Sequence, residues 1–200
     1  MTDAKAFELY LVRHGVTDWN EDGRLMGRSD IGLNARGRAQ ADRAAEALVS
    51  RSIEAVYSSP QPRARQTAEP IARAHRLEVQ VEPAFDEVWL DAAWMGKTLA
   101  ELRDDEDLVR LVENPAYECD AIEALSAVRE RTVGEVERLG ERGFGSVVVV
   151  SHGDPLRVIV AAYLGLELSA IRRFSIDNGS ISLIRFGRRG PRLVFLNAQV

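Results

Sequence analysis

With 200 residues, 46% of them apolar and 28% charged, the chain has the size and composition of one globular domain. A net charge of −5 argues against a general nucleic-acid binder, whose footprint is a basic surface, while leaving room for a local cationic pocket. The single cysteine, Cys119, excludes an internal disulfide and fits a reducing compartment, and no stretch nears the roughly 18 apolar residues of a membrane span.

Met1 to Lys5 is too short and polar for a signal peptide, so the expectation is a flexible tail at 1–6 on a cytoplasmic protein without nucleic-acid or membrane partners. The first element is a strand over 7–13, a short apolar run that ends in Arg13-His14-Gly15. Residues 16–34 read as a loop able to fold over the strand tip. Asn34 then caps a helix over 35–51 with an alanine-rich stripe. A second strand, 55–60, ends at Pro60. A helix over 62–75 and a strictly alternating strand over 78–82 follow. Residues 83–120 are the least regular, with short helices expected near 98–112. A long helix over 121–140, a valine strand over 146–150 and a helix over 154–165 come next. Two closing strands, 180–186 and 192–197, are joined by Gly-Arg-Arg-Gly-Pro. This alternation predicts one α/β domain over 1–200, in three α/β/α layers. Its central sheet is mostly parallel and closed by an antiparallel C-terminal pair.

Two of the three histidines share one context: His14 and His152 each open a His-Gly pair directly after an apolar strand. In open α/β sheets, ligands sit outside the carboxyl ends of the strands. A lone histidine there is more often structural; two, with arginines nearby, point to a phosphate site. Neutral imidazole is a nucleophile near pH 7, and a second, cationic imidazole would add charge-assisted hydrogen bonds to phosphoryl oxygens. A guanidinium presents five donors in a flat fork that matches that anion. Arg13 adjoins His14, and Arg63 and Arg65 open the helix after the second strand. His75, at the polar end of a helix, is expected to be solvent-exposed.

Departure of an alkoxide needs an acid, which later serves as base for water. Glu82, Asp86, Glu87 and Asp91 all follow the third strand, and composition does not choose among them. Metal ligation is disfavoured, because neither an H-x-x-x-H pair nor a carboxylate-rich motif accompanies the histidines; Asp154 is the one extra candidate ligand. No metal or other cofactor is expected.

These residues lie in four blocks that resemble the histidine phosphatase superfamily, in its phosphoglycerate-mutase-like branch 1. The first is Leu11-Val12-Arg13-His14-Gly15-x-Thr17-x-Trp19-Asn20, and the second Gly27-x-x-Asp30-x-x-Leu33-x-x-x-Gly37-x-x-Gln40-Ala41. The others are Ser58-Ser59-Pro60-x-x-Arg63-Ala64-x-x-Thr67-Ala68 and Val150-Ser151-His152-Gly153. One Arg-His-Gly is weak, but four ordered blocks across nearly the whole chain are specific. The resemblance implies a phosphoglycerate-mutase-like fold and metal-independent hydrolysis of a small phosphate monoester through a phosphohistidine on His14. It implies Arg13, Asn20, Arg63, His152 and Gly153 around the phosphate, with Arg63 preferred to Arg65 as the first residue of the R-A-x-x-T block. Glu87 is implied as the acid, because Glu87 to Gly96 resembles E-x-x-F-G-x-W-E-G stretched by one residue.

The chain also departs from the family pattern. Ile122-Glu123-Ala124 replaces the usual Gly-Glu-Ser, Asp91 replaces a glycine, Trp94-Met95-Gly96 stands for W-E-G, and Met26 replaces a small hydroxyl residue. These positions belong to the substrate rim, where Trp89, Trp94, Met26 and Met95 form a partly apolar surface or else pack as core. A mutase using the same residues is the alternative; the short stretch from Glu87 to His152 favours water access and hydrolysis. A non-catalytic phosphate-binding regulator would have lost a histidine or arginine, and none is lost. The sequence names neither the phosphorylated small molecule nor the oligomeric state, leaving a homodimer open.

Overall fold

The computed structural model describes residues 7–200, so the flexible tail expected at 1–6 lies outside the described residues. The strands are β1 (Phe7–Arg13), β2 (Ala55–Ser58), β3 (Val79–Val81), β4 (Ser146–Ser151), β5 (Ile181–Gly187) and β6 (Gly190–Ala198). They form one sheet in the order β3-β2-β4-β1-β5-β6. β1, β2, β3 and β4 are mutually parallel; β5 and β6 run antiparallel at the C-terminal side, as the sequence predicts. The helices are α1 (Asp18–Glu21), α2 (Ala35–Leu48), α3 (Pro62–Ala74), α4 (Glu106–Glu113), α5 (Leu125–Glu141) and α6 (Gly153–Leu164).

Successive strand residues point to opposite faces, so a strand covered on both sides reads as an unbroken apolar run. Val147 and Val149 join Leu9 and Leu11 against Val136 and Leu139 of α5 and Leu156 and Ile159 of α6. Val148 and Val150 join Tyr10 and Val12 against Ala44 and Leu48 of α2 and Ala68 and Ile71 of α3. Each of these fully buried valines contributes about 1.5–3 kcal/mol relative to an exposed one. The three-layer architecture is therefore written into alternate positions of one four-valine strand.

The connections differ from expectation in instructive places. The loop after β1 contains α1, closed by a capping box in which Thr17 and Asn20 satisfy each other's backbone N–H groups. Helix near 98–112 is confined to α4, which starts where the Asp105 carboxylate accepts the Leu108 N–H at 3.0 Å. α5 begins four residues later than expected. Residues before it are extended: Asp91 N–H donates to Ala121 O and Glu123 N–H to Trp89 O, with a bridge between Leu90 and Ile122. β5 and β6 meet through Gly187 paired with Gly190, a tighter turn than the five residues expected. His75 is half-buried at the C-cap of α3 rather than exposed.

Residues between β3 and α5 build a third apolar cluster at the carboxyl ends of the strands. Val88, Leu90, Trp94, Leu108 and Leu111 pack there against Val128 of α5 and Val158 and Ala161 of α6.

Candidate active site

The parallel register brings the two imidazoles together. Val12 pairs with Val150 and Arg13 with Ser151, so His14 and His152 are the next residues on adjacent strands. The His14 N–H donates to Ser151 O at 3.0 Å, and the ring centroids are 5.1 Å apart. β2 lies on the other side of β4, and the Ser59 N–H donates to Val150 O, which adds Ser59 to the same row of strand tips. The backbone then turns sharply. A Cβ at Gly15 would sit 2.4 Å from Gly37 O, and one at Gly37 2.0 Å from Val16 O, so only glycine permits α2 to approach this closely.

His14 is buried, and its Nδ1 lies 2.7 Å from Gly15 O. A carbonyl only accepts, so Nδ1 carries the proton and Nε2 keeps its lone pair. Burial, followed by the charges of Arg63 and Arg13, holds this imidazole well below its usual range and therefore neutral. The Gly15 N–H donates to Thr67 Oγ1, whose hydroxyl donates to Arg63 O. Asn178 Nδ2 donates to His14 O and to Asn20 Oδ1.

Arg63 is fully buried, with its Nη atoms donating to Ser29 O and Gly27 O; Arg65 is exposed. Arg13 Nη1 donates to Ile176 O at 2.7 Å. Both guanidinium Nε atoms are buried without a protein acceptor. Two orphaned donors from two arginines beside a neutral imidazole suit an incoming anion. Gly153 is the first residue of α6, His152 is its N-cap, and no side chain closes the first turn, so the positive end of this helix adjoins the imidazoles. A Cβ at Gly153 would lie 3.6 Å from Arg13 Cζ and 3.1 Å from Arg157 Nη1.

His152 is fixed by a relay that sequence reasoning missed. Its Nε2 lies 2.7 Å from Ser59 Oγ, and Ser59 Oγ lies 3.2 Å from Asp86 Oδ1. The carboxylate takes the hydroxyl proton, so Ser59 accepts from Nε2–H and Nδ1 is left buried without a partner. Burial and the charges of Arg63, His14, Arg13 and Arg131 hold His152 well below its usual range. Burial first, and the surrounding positive charges after it, favour the neutral imidazole in this state.

Among the four acid candidates, the structure places one beside the imidazoles. Glu87 Oε2 is 3.8 Å from His152 Nδ1. Burial, with a contribution from Asp154, pushes the Glu87 carboxyl up to about 7. Asp86 is occupied by Ser59, Gln61 and the Glu87 N–H. Glu82 caps the short 3-10 turn at Pro83–Phe85, and Asp91 accepts the Ala93 N–H. The backbone carrying Glu87 is braced by Arg131, whose Nη1 donates to Ala84 O and Asp86 O at 2.7 Å each. Arg131 is in turn gripped by Glu123, which also takes Arg28 Nη2. Although burial opposes it, Arg131 holds the Glu123 carboxyl below the usual range. Nothing in the sequence singles out Arg131 or Asn178; Ser59, Thr67 and Gln40 lie inside recognisable blocks, without an evident role.

A cavity of about 400 Å³ opens beside Glu87 and Gly27. Met26 and Trp94 line it while buried, whereas Trp89 and Met95 lie outside its lining at 43% and 37% exposure. Trp94 Nε1 donates to Asp105 Oδ2, which ties the cavity wall to the cap of α4. Among the described residues, no group of three or more His, Cys, Asp or Glu side chains is arranged to hold a metal, and no helix is long and apolar enough to cross a membrane.

Paired strand-tip imidazoles with two orphaned guanidinium donors form a candidate anion site. The sequence pattern of the histidine phosphatase superfamily (branch 1) matches residues 9–199, and the chain belongs to that family. It is 37% identical over 194 residues to "Phosphoserine phosphatase 1" of Hydrogenobacter thermophilus, covering 95% of this chain and 92% of that one. It is 33% identical over 187 residues to "Probable phosphoglycerate mutase GpmB" of an Enterobacter species, covering 90% and 85%. The solved mycobacterial glucosyl-3-phosphoglycerate phosphatase in complex with VO3 superposes with a TM-score of 0.87 at 29% identity, covering 96% and 99%. The chain is a phosphomonoesterase of this family.

Proposed function

We propose that the protein hydrolyses a phosphate monoester in two steps through a phosphohistidine on His14, without a metal. The orientation of His14 supports this most directly: the Nδ1 contact to Gly15 O leaves the Nε2 lone pair as nucleophile. In the first step Nε2 attacks phosphorus, the P–O ester bond breaks, and protonated Glu87 gives its proton to the departing alkoxide. In the second step Glu87 takes a proton from water, the resulting hydroxide displaces Nε2, and inorganic phosphate leaves. Arg13 Nε, Arg63 Nε and the Gly153 end of α6 bind the phosphoryl oxygens, and the Asn20 side chain, beside His14 through Asn178, adds a donor. A bound dianion lets His152 Nδ1 take a proton, so that this imidazole becomes cationic only with substrate present.

Hydrolysis rather than mutase transfer is favoured by the chamber beside Glu87, which gives water a route to the phosphohistidine. Enzyme incubated with 32P-labelled ester and quenched in alkaline denaturant carries label on His14 in an acid-labile, base-stable form. Turnover with unlabelled His14 throughout, or exchange between 2- and 3-phosphoglycerate instead of phosphate release, overturns this reading.

A further inference from the structure

The phosphate end of the site says nothing about the alcohol, but the chamber next to it does. Its walls join the phosphate pocket directly: Gly27, whose carbonyl holds Arg63, and Glu87 belong to both. Beyond Glu87 the lining turns apolar. Met26, Leu90, Trp94 and Leu108 are buried within it, while Leu99 and Val112 stand 53% and 55% exposed at its margin. Exposed aliphatic side chains facing a cavity are surface that a ligand can remove from water. About 400 Å³ is in the range that encloses a drug-sized group, far more than a three-carbon amino acid fills.

The charges of the chamber are equally selective. Asp154 is paired with Arg157 at 2.9 Å, and Glu87 is required for proton transfer, so no carboxylate remains for an ammonium group. Arg172, also on the lining, donates to Leu111 O and has no carboxylate partner among the described residues. Phosphoserine, the ester named for a relative, would place an ammonium where the chamber offers it nothing.

We infer that the substrate is the phosphate monoester of an apolar, ring-sized alcohol, neutral or anionic at its far end. This rests on the phosphatase reading above, and the test separates the two. Five esters of simple alcohols have alkoxide leaving groups of similar basicity, so differences in kcat/KM report binding: methyl phosphate, phosphoserine, 3-phenylpropyl phosphate, and the latter bearing either a para-carboxylate or a para-aminomethyl group. With the wild-type protein, 3-phenylpropyl phosphate exceeds methyl phosphate and phosphoserine by about 30-fold or more. The carboxylate derivative exceeds the aminomethyl one by about tenfold. In Val112→Glu and Leu99→Glu, both at exposed positions, the phenylpropyl-to-methyl ratio collapses towards one. Hydrolysis with flat selectivity, or with phosphoserine or the aminomethyl ester preferred, overturns the substrate class and leaves the phosphatase standing. No hydrolysis of any ester, 4-nitrophenyl phosphate included, overturns both.

Discussion

The two ends of the site are built by different means. At the phosphate end, His14, His152 and Ser59 sit where the register of three adjacent parallel strands puts them, and the Gly15–Gly37 contact locks the turn after β1. At the leaving-group end, the wall is held by side chains: Trp94 on Asp105, Glu123 on Arg28 and Arg131, and apolar contacts. Strand register cannot drift by one residue without turning every side chain to the wrong face. Side-chain bracing can be rewritten one residue at a time. Chemistry is therefore fixed by the sheet, and selectivity is left to the segment between β3 and α5.

If that division is right, the largest effects on rate belong to the strand tips. His14→Ala removes the nucleophile and lowers kcat on 4-nitrophenyl phosphate by about 10⁴-fold or more, with no 32P label retained. A loss of less than tenfold would make His14 a bystander and return the site to simple phosphate binding.

Glu87 lies on the boundary between the two ends, and its replacement separates them. Glu87→Gln slows alkyl esters about 10²- to 10⁴-fold. With 4-nitrophenyl phosphate, whose leaving group needs no acid, it gives a burst of nitrophenol followed by slow turnover. The same substitution tests the electrostatics. Burial raises this carboxyl from 4.5 to about 7, so the folded state resists ionisation more than the unfolded chain does. The penalty is absent below the unfolded value, grows as pH rises between the two, and is complete above the folded one. Glu87→Gln accordingly stabilises the protein at pH 8 by up to about 3 kcal/mol, with the advantage gone below pH ~4.5. Urea melts at both pH values measure this, and equal stability at pH 8 contradicts the raised proton affinity.

A smaller loss is expected at the relay. Ser59→Ala removes the acceptor that keeps the His152 proton on Nε2, costing roughly tenfold in kcat/KM, as expected for one buried hydrogen bond. Because it also frees the tautomer, the pH profile of kcat/KM shifts, which a purely structural role for Ser59 would not produce.

The same division explains what could be read from the sequence. The sheet and its helices were legible because Val147 to Val150 must be covered on both faces, and because Arg13-His14-Gly15 and Ser151-His152-Gly153 end strands that the pattern brackets unambiguously. The choice among four acids was not legible, since Glu87 differs from Asp86 only in what surrounds it after folding. The start of α5 is not legible because Ile122 and Glu123 look helical locally, yet pair with Leu90 and Trp89 from a segment that sequence periodicity does not describe. Arg131 was invisible for a related reason: on a helix rich in charge, its acceptors are backbone carbonyls nearly 50 residues away.

The smallest effect is the sharpest test of the side-chain bracing. Asp105 does not itself line the cavity, but its two oxygens hold the Leu108 N–H and Trp94 Nε1 of two residues that do. Asp105→Ala removes a helix cap and a wall brace together, at a cost of about 1–2 kcal/mol. For a chain of this length that lowers Tm by roughly 2–8 °C in a thermal melt. If Asp105 merely stabilises the fold, KM rises equally for methyl phosphate and for 3-phenylpropyl phosphate. If it positions the wall against which the alcohol packs, KM for the bulky ester rises several-fold more than for the small one, while kcat on 4-nitrophenyl phosphate, which reports on His14, stays as it is. Selectivity would then be shown to hang on a hydrogen bond remote from the phosphate, as a chamber built from side chains requires.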